Sequence, residues 1–258
     1  MDNLELTEFQ AIIAEMIMHT PAPAKHCARS AINHIQKAWN IRKIDLEMAV
    51  FRSITAVEES TVAIFHSLKR HKYEGSDKLI LGRHIHKAAL RPFLAAIETN
   101  FSKSKLEPYN PTIEIQGTGT KRKIKLRLTF PDNPESKRYG YPQPPLNFSY
   151  AKNGMLYNFD EELEWIINTH NVSSIQKHVK ALADQRNNLL YASTGGVPKV
   201  TELPDHFLLN KRDIVFQHLC IYLMIDPYPE IQLFVQQTLE SFLKMLNLFP
   251  KDSNALCQ

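Results

Sequence analysis

Arg186, Asn187, Asn188 and Tyr191 cluster near the end of one stretch, Ser173 to Gly196 (SSIQKHVKALADQRNNLLYASTGG). A guanidinium is permanently charged, and its forked donors suit a carboxylate or a phosphate. Within the stretch Ile175, Val179, Leu182 and Leu189 recur at helical spacing. Arg186 falls on the same face. A helix that buries this stripe must bury the arginine or aim it into a cleft, and an unpaired buried charge is costly. An anionic partner is therefore expected opposite Arg186. Ser173 and Gln176 have capping-box spacing at the start, and Gly195, Gly196 and Pro198 provide the stop.

Glu58 is the carboxylate best placed to answer that need. Asp45 caps a long helix running to about His71, in which Val50, Ile54, Val57, Thr61, Ile64, Phe65 and Leu68 form one apolar stripe. Glu58 and Glu47 lie along an edge of the stripe, while Glu59 and Arg52 point to the opposite side. A carboxylate at such a margin needs a partner once the helix packs, and pairing Glu58 with Arg186 meets both demands. Two readings stand side by side: a salt bridge that specifies how the helices pack, or the charged pair of a functional site.

The run Arg186-Asn187-Asn188-Leu189-Leu190-Tyr191 resembles the signature of the HEPN superfamily, small helical proteins that include many metal-independent ribonucleases. That signature is an arginine, often followed by asparagine, with a histidine after a gap of four to six residues. Tyr191 stands here where the histidine is expected. The resemblance covers two helices, about residues 45–72 and 172–196. It implies that Arg186 would stabilise phosphorane-like charge, that Asn187 would orient the arginine or the scissile phosphate, and that Glu58 would hold Arg186. It also implies a homodimer in which two such motifs meet in one composite cleft. The RNA 2′-hydroxyl would be the nucleophile and no cofactor would be required. Toxins and antiviral-defence effectors are the roles this suggests. A phenol is a poor general base near neutral pH, so Tyr191 is assigned proton or hydrogen-bond donation. The competing reading is a non-catalytic helical module that binds RNA, a nucleotide or a protein through the same cluster.

Two further groups carry chemistry. Lys121, Arg122, Lys123, Lys125 and Arg127 crowd one segment, with Tyr139 and Tyr141 following. Cations interleaved with aromatics suit single-stranded nucleic acid, although lysines on a sheet face also discourage edge pairing. His84 and His86 are two apart and point to different faces, whereas His84 and Lys87 share one. This is not the spacing of a helical metal pair, and no metal site is expected. A third function class, an enzyme acting on nucleotides, would use His84 or His86 as its base.

The elements that must position these residues read as mainly α. The expected frame is an HEPN-like helical bundle with a small antiparallel β insert at about residues 112–157. An N-terminal helical half spans 1–100, with helices at 6–18, 24–39, 45–71 and 78–100. Residues 101–157 hold the insert: Thr112–Gln116 and Lys121–Phe130 alternate in polarity as a hairpin, and a proline-rich loop follows. A C-terminal half, 158–250, packs back on the first, and 251–258 is a tail. Its last two helices are expected to start at Asn210 or Asp213 and at Glu230.

The chain of 258 residues, 43% hydrophobic and 22% charged, fits a soluble globular protein. No apolar run is long enough for a bilayer, so no membrane partner is expected. The three cysteines, Cys27, Cys220 and Cys257, are too scattered for a disulfide framework. They point to a reducing, cytoplasmic setting. A net charge of +4 alone does not establish nucleic-acid binding. RNA, a second copy of the chain and a regulatory protein are the expected partners.

Overall fold

The computed structural model describes residues 3–103, 111–130, 138–169, 174–191, 196 and 199–249. Cys257 and the tail lie outside them. Within them the protein is mainly helical. Helices α1 (Glu8–Ile17), α2 (Ala24–Ile41), α3 (Leu46–Arg70) and α4 (His84–Lys103) come first. Strands β1 (Thr112–Gln116), β2 (Lys123–Phe130), β3 (Arg138–Gly140), β4 (Ala151–Lys152) and β5 (Met155–Leu156) follow. Helices α5 (Asp160–Thr169), α6 (Ile175–Asn188), α7 (Asp205–Ile225) and α8 (Leu233–Leu246) complete the order.

Helix α3 is the centre of the bundle. It packs along α2 and α7 and also touches α4 and α6. Its apolar stripe is buried at Val50, Ile54, Thr61, Ile64, Phe65 and Leu68, as its periodicity requires. Ala49, Ser53, Ala56, Ser60, Ala63 and Ser67 are buried as well. Their small side chains let a second helix come close, and α2 contributes Ala28, Ala31, Ile35 and Ala38 to the core. Asp45 caps the start, accepting from the Met48 amide at 2.9 Å. At the other end the Arg70 Nη2 donates to the Asp226 carbonyl, fastening α3 to the end of α7.

Helix α7 is apolar on most faces, with eleven buried residues including Phe216, Leu219, Tyr222 and Leu223. Such a helix belongs in the interior, and it packs on α1, α2, α3 and β2. It begins at Asp205, earlier than Asn210 or Asp213. Pro204 occupies the cap position and Asp205 favours the first turn. Helix α8 begins at Leu233 rather than Glu230, because the Gln232 side chain is committed to the Leu146 amide and the Met224 carbonyl. Helix α4 begins at His84 rather than Lys78, since residues 76–78 form a separate short turn.

The β insert is a three-stranded antiparallel sheet, β1-β2-β3, plus the small hairpin β4-β5. Ile124 and Leu126 of β2 face inward and are buried, while Lys123 is exposed. The β1–β2 turn needs Gly117, whose φ is +92° and whose added Cβ would meet the Lys121 carbonyl oxygen at 2.7 Å. Asn153 and Gly154, both at positive φ, form the β4–β5 turn. Residues 147–150 form no strand, and the Leu146 and Tyr150 amides donate to the Gln232 and Gln237 side chains.

Candidate active site

The Glu58 carboxylate sits inside the bundle with 7% of its side chain exposed, and three cationic or imidazole groups converge on it. Oε1 accepts from His84 Nδ1 at 2.8 Å. Oε2 lies 3.0 Å from Lys87 Nζ and 3.7 Å from Arg186 Nη1. The partnership of Glu58 with Arg186, required by their positions on two helices, is thus present, though it is the longest of the three contacts.

Three helices deliver these groups. His84 and Lys87 stand three residues apart at the start of α4 and turn one face toward α3. Arg186 lies in the last turn of α6, where a cation is favoured by the helix dipole. Helix α6 starts at Ile175 with Ser174 as its cap, accepting from the Lys177 amide at 3.3 Å. The expected cap, Ser173, lies outside the described residues. The buried face of α6 is Ile175, Val179 and Ala183, with Arg186 continuing it. Phe51 of α3 carries the guanidinium, whose carbon is 4.9 Å from the ring centroid.

The His84 geometry decides what the cluster can do. A carboxylate only accepts, so Nδ1 of His84 carries the proton and Nε2 presents a lone pair in the neutral ring. Arg186 Nη1 is 3.1 Å from Nε2 and 3.4 Å from Nδ1. Near-equal distances to both ring nitrogens place Nη1 over the imidazole face, because an in-plane approach at these distances would collide with the intervening ring carbon. Arg186 therefore does not take the in-plane lone pair of Nε2. His84 is 34% exposed and Arg186 25%, against 9% for Lys87. The site thus presents an oriented base and a guanidinium to solvent, over a buried carboxylate. A second imidazole lies close by: His34 Nδ1 is 3.4 Å from Arg52 Nη1. Burial and the charges of Arg52, Lys37 and Arg186 hold its pKa below the ordinary histidine value.

The other expected site residues lie apart from this constellation. Helix α6 ends at Asn188, and the Asn187 carbonyl accepts from the Leu190 and Tyr191 amides at 3.1 and 3.2 Å. Asn187 is exposed, and Tyr191 is 68% exposed. Among the described residues neither the Asn187 side chain nor the Tyr191 hydroxyl makes a hydrogen bond. The basic hairpin is partly neutralised by its own neighbours. Arg127 meets Glu114 at 2.7 Å, Arg122 meets Glu15, Lys125 meets Gln143, and Lys123 lies over the Tyr228 ring. Lys121 remains exposed. Among the described residues no group of three or more histidines, cysteines or carboxylates is arranged to hold a metal ion. Nor is any helix among them long and apolar enough to cross a membrane.

His84 is a member of this cluster that the motif around Arg186 does not name. Its signal was the shared face with Lys87, but which helix that face would meet is a long-range fact. Compared with family models, with curated proteins and with solved structures, the chain finds no match.

Proposed function

We propose that this chain is a metal-independent endoribonuclease on an HEPN-like helical frame, with His84 supplying the imidazole. One observation carries the reading: the half-buried His84 is held between the Glu58 carboxylate, 2.8 Å from Nδ1, and the Arg186 guanidinium, which lies over the ring face 3.1 Å from Nε2 rather than on its in-plane lone pair. Nε2 takes the proton of an RNA 2′-hydroxyl. The 2′-oxygen then bonds to the adjacent phosphorus while the bond from phosphorus to the 5′-oxygen breaks. The proton held on His84 passes to that leaving oxygen, so a 2′,3′-cyclic phosphate and a 5′-hydroxyl are formed. Arg186 stabilises the charge that develops on the non-bridging oxygens, and Glu58 holds the ring tautomer through Nδ1. In HEPN enzymes the histidine follows the arginine; in this proposal it arrives from α4. Tyr191 and Asn187 belong to the cleft only if a second copy of the chain brings them there, which is the homodimer the resemblance implies. A toxin or antiviral-defence role rests on that resemblance alone, and a cytoplasmic setting on the scattered cysteines.

The test is the product. A labelled DNA oligonucleotide carrying one ribonucleotide is incubated with the protein in excess EDTA. Cleavage only after the ribonucleotide, leaving a cyclic phosphate, is the expected result. Cleavage of an all-deoxy strand, or a free 3′-hydroxyl product, would exclude the 2′-hydroxyl as nucleophile. The alternative, a module that binds RNA, a nucleotide or a protein without cutting, is favoured by one fact: Glu58 already satisfies three groups of its own protein.

A further inference from the structure

Helix α2 holds Lys25, Arg29 and Lys37 together with His26 and His34, and has no carboxylate in its 18 residues. Lys25, Arg29, Asn33 and Lys37 recur every four residues, so they form a row on one face, about 18 Å long at 1.5 Å per residue. The opposite face, Ala28, Ala31, Ile35 and Ala38, is in the core. Arg29, Asn33 and Lys37 are exposed, and His26, Arg29, Ser30 and Asn33 line a shallow depression. Among the described residues none of Lys25, Arg29, Lys37 and Arg52 has a carboxylate within ion-pair distance. The basic hairpin differs in this respect, since Arg122 and Arg127 are already held by Glu15 and Glu114. The row also leads to the site. His34, three residues before Lys37, contacts Arg52 at 3.4 Å, and the neighbouring Phe51 carries the Arg186 guanidinium.

We infer that the exposed face of α2 is the track for the phosphate backbone of single-stranded RNA, leading it through His34 and Arg52 to His84. This rests on the ribonuclease reading for its ligand and goes beyond it by placing the bound strand on α2 rather than on the hairpin. Unpaired cations in a row bind a polyanion by releasing its counterions, and each phosphate contact adds about 0.7 to the salt slope for a single strand.

The test separates binding from cleavage by using His84→Ala protein and fluorescence anisotropy of a labelled single-stranded RNA across a salt series. Adding Lys25→Gln, Arg29→Gln and Lys37→Gln is expected to lower the slope by about 2 and weaken binding by at least tenfold at low salt. Adding Lys121→Gln and Lys123→Gln on the hairpin instead is expected to change both far less. Circular dichroism confirms that the variants fold. An unchanged slope in the α2 variant overturns the proposal, as does failure of the parent His84→Ala protein to bind RNA at low salt. Binding of the parent to anionic vesicles but not to RNA identifies a lipid surface instead and also overturns it. RNA binding that depends on α2, in a protein that never cleaves, retains this inference and removes only the catalytic one.

Discussion

Replacing Glu58 by Gln keeps the shape of the side chain and removes the one negative charge on which Lys87, His84 and Arg186 converge. The magnitude is set mainly by Lys87. Its side chain is 9% exposed against 7% for Glu58, so the pair is buried, and breaking such a pair from one side costs about 3–5 kcal/mol. His84 and Arg186 are more open to solvent and add only a few tenths of a kcal/mol each, as screened contacts do. A loss of about 3 kcal/mol is expected, equivalent to roughly 6–12 °C in Tm for a chain of this size. Domains have about 5–15 kcal/mol in hand, so the variant still folds. Urea unfolding followed by circular dichroism gives the loss directly. Lys87→Met in the Glu58→Gln background removes the stranded ammonium, so the double variant should recover part of it. The expected coupling is about 2 kcal/mol, well above the few tenths seen for independent sites. A loss under about 0.5 kcal/mol, or strict additivity, would show that Glu58 does not hold these helices together and would refute the reasoning.

His218 is buried beside the Ser60 hydroxyl at 3.0 Å, and burial pushes its pKa down to about 3. The unfolded state therefore binds its proton first: its contribution is intact above about pH 6.5 and is lost as pH falls toward 3, at about 1.4 kcal/mol per pH unit at most. Urea midpoints between pH 7 and pH 4.5 should fall in the native chain and fall less in His218→Gln. The Arg127–Glu114 pair has 36% and 29% of its side chains exposed, so Glu114→Ala should cost under about 1 kcal/mol by thermal unfolding, a discount owed to solvent screening. Gly75 has φ +79° and an added Cβ would lie 2.6 Å from Leu243 Cδ1, so Gly75→Ala should lower stability by about 1–3 kcal/mol.

Local pattern foretold much of the fold. The apolar stripe of α3, the alternation in β2 and the Asp45 cap are periodic or local signals, and they appear where their spacing places them. The meeting of Glu58 and Arg186 was also legible, because each sat on a packing face that could not tolerate an unpaired charge. His84 was not legible as the third member. Its role depends on where the start of α4 lands against α3, and no spacing within α4 encodes that. The partners of the hairpin cations were not legible for a related reason. Glu15 and Gln143 are distant in sequence, and even Glu114 becomes a partner of Arg127 only in the folded register. The boundaries of α7 and α8 shifted because Pro204 and Gln232, a cap and a buried amide, overrode the apolar periodicity.

The central claim is that His84, positioned by Glu58 and Arg186, is the base that starts RNA cleavage. The most direct measurement is the single-turnover cleavage rate of an RNA oligonucleotide in excess EDTA by the native chain, His84→Ala, Arg186→Ala and Tyr191→Phe, each first shown to be folded. The account predicts cleavage by the native chain, a loss of at least about a hundredfold in His84→Ala, a comparable loss in Arg186→Ala, and a rate within threefold of native in Tyr191→Phe. A His84→Ala protein that cleaves as fast as the native chain, or a folded native chain that leaves RNA intact, would contradict it.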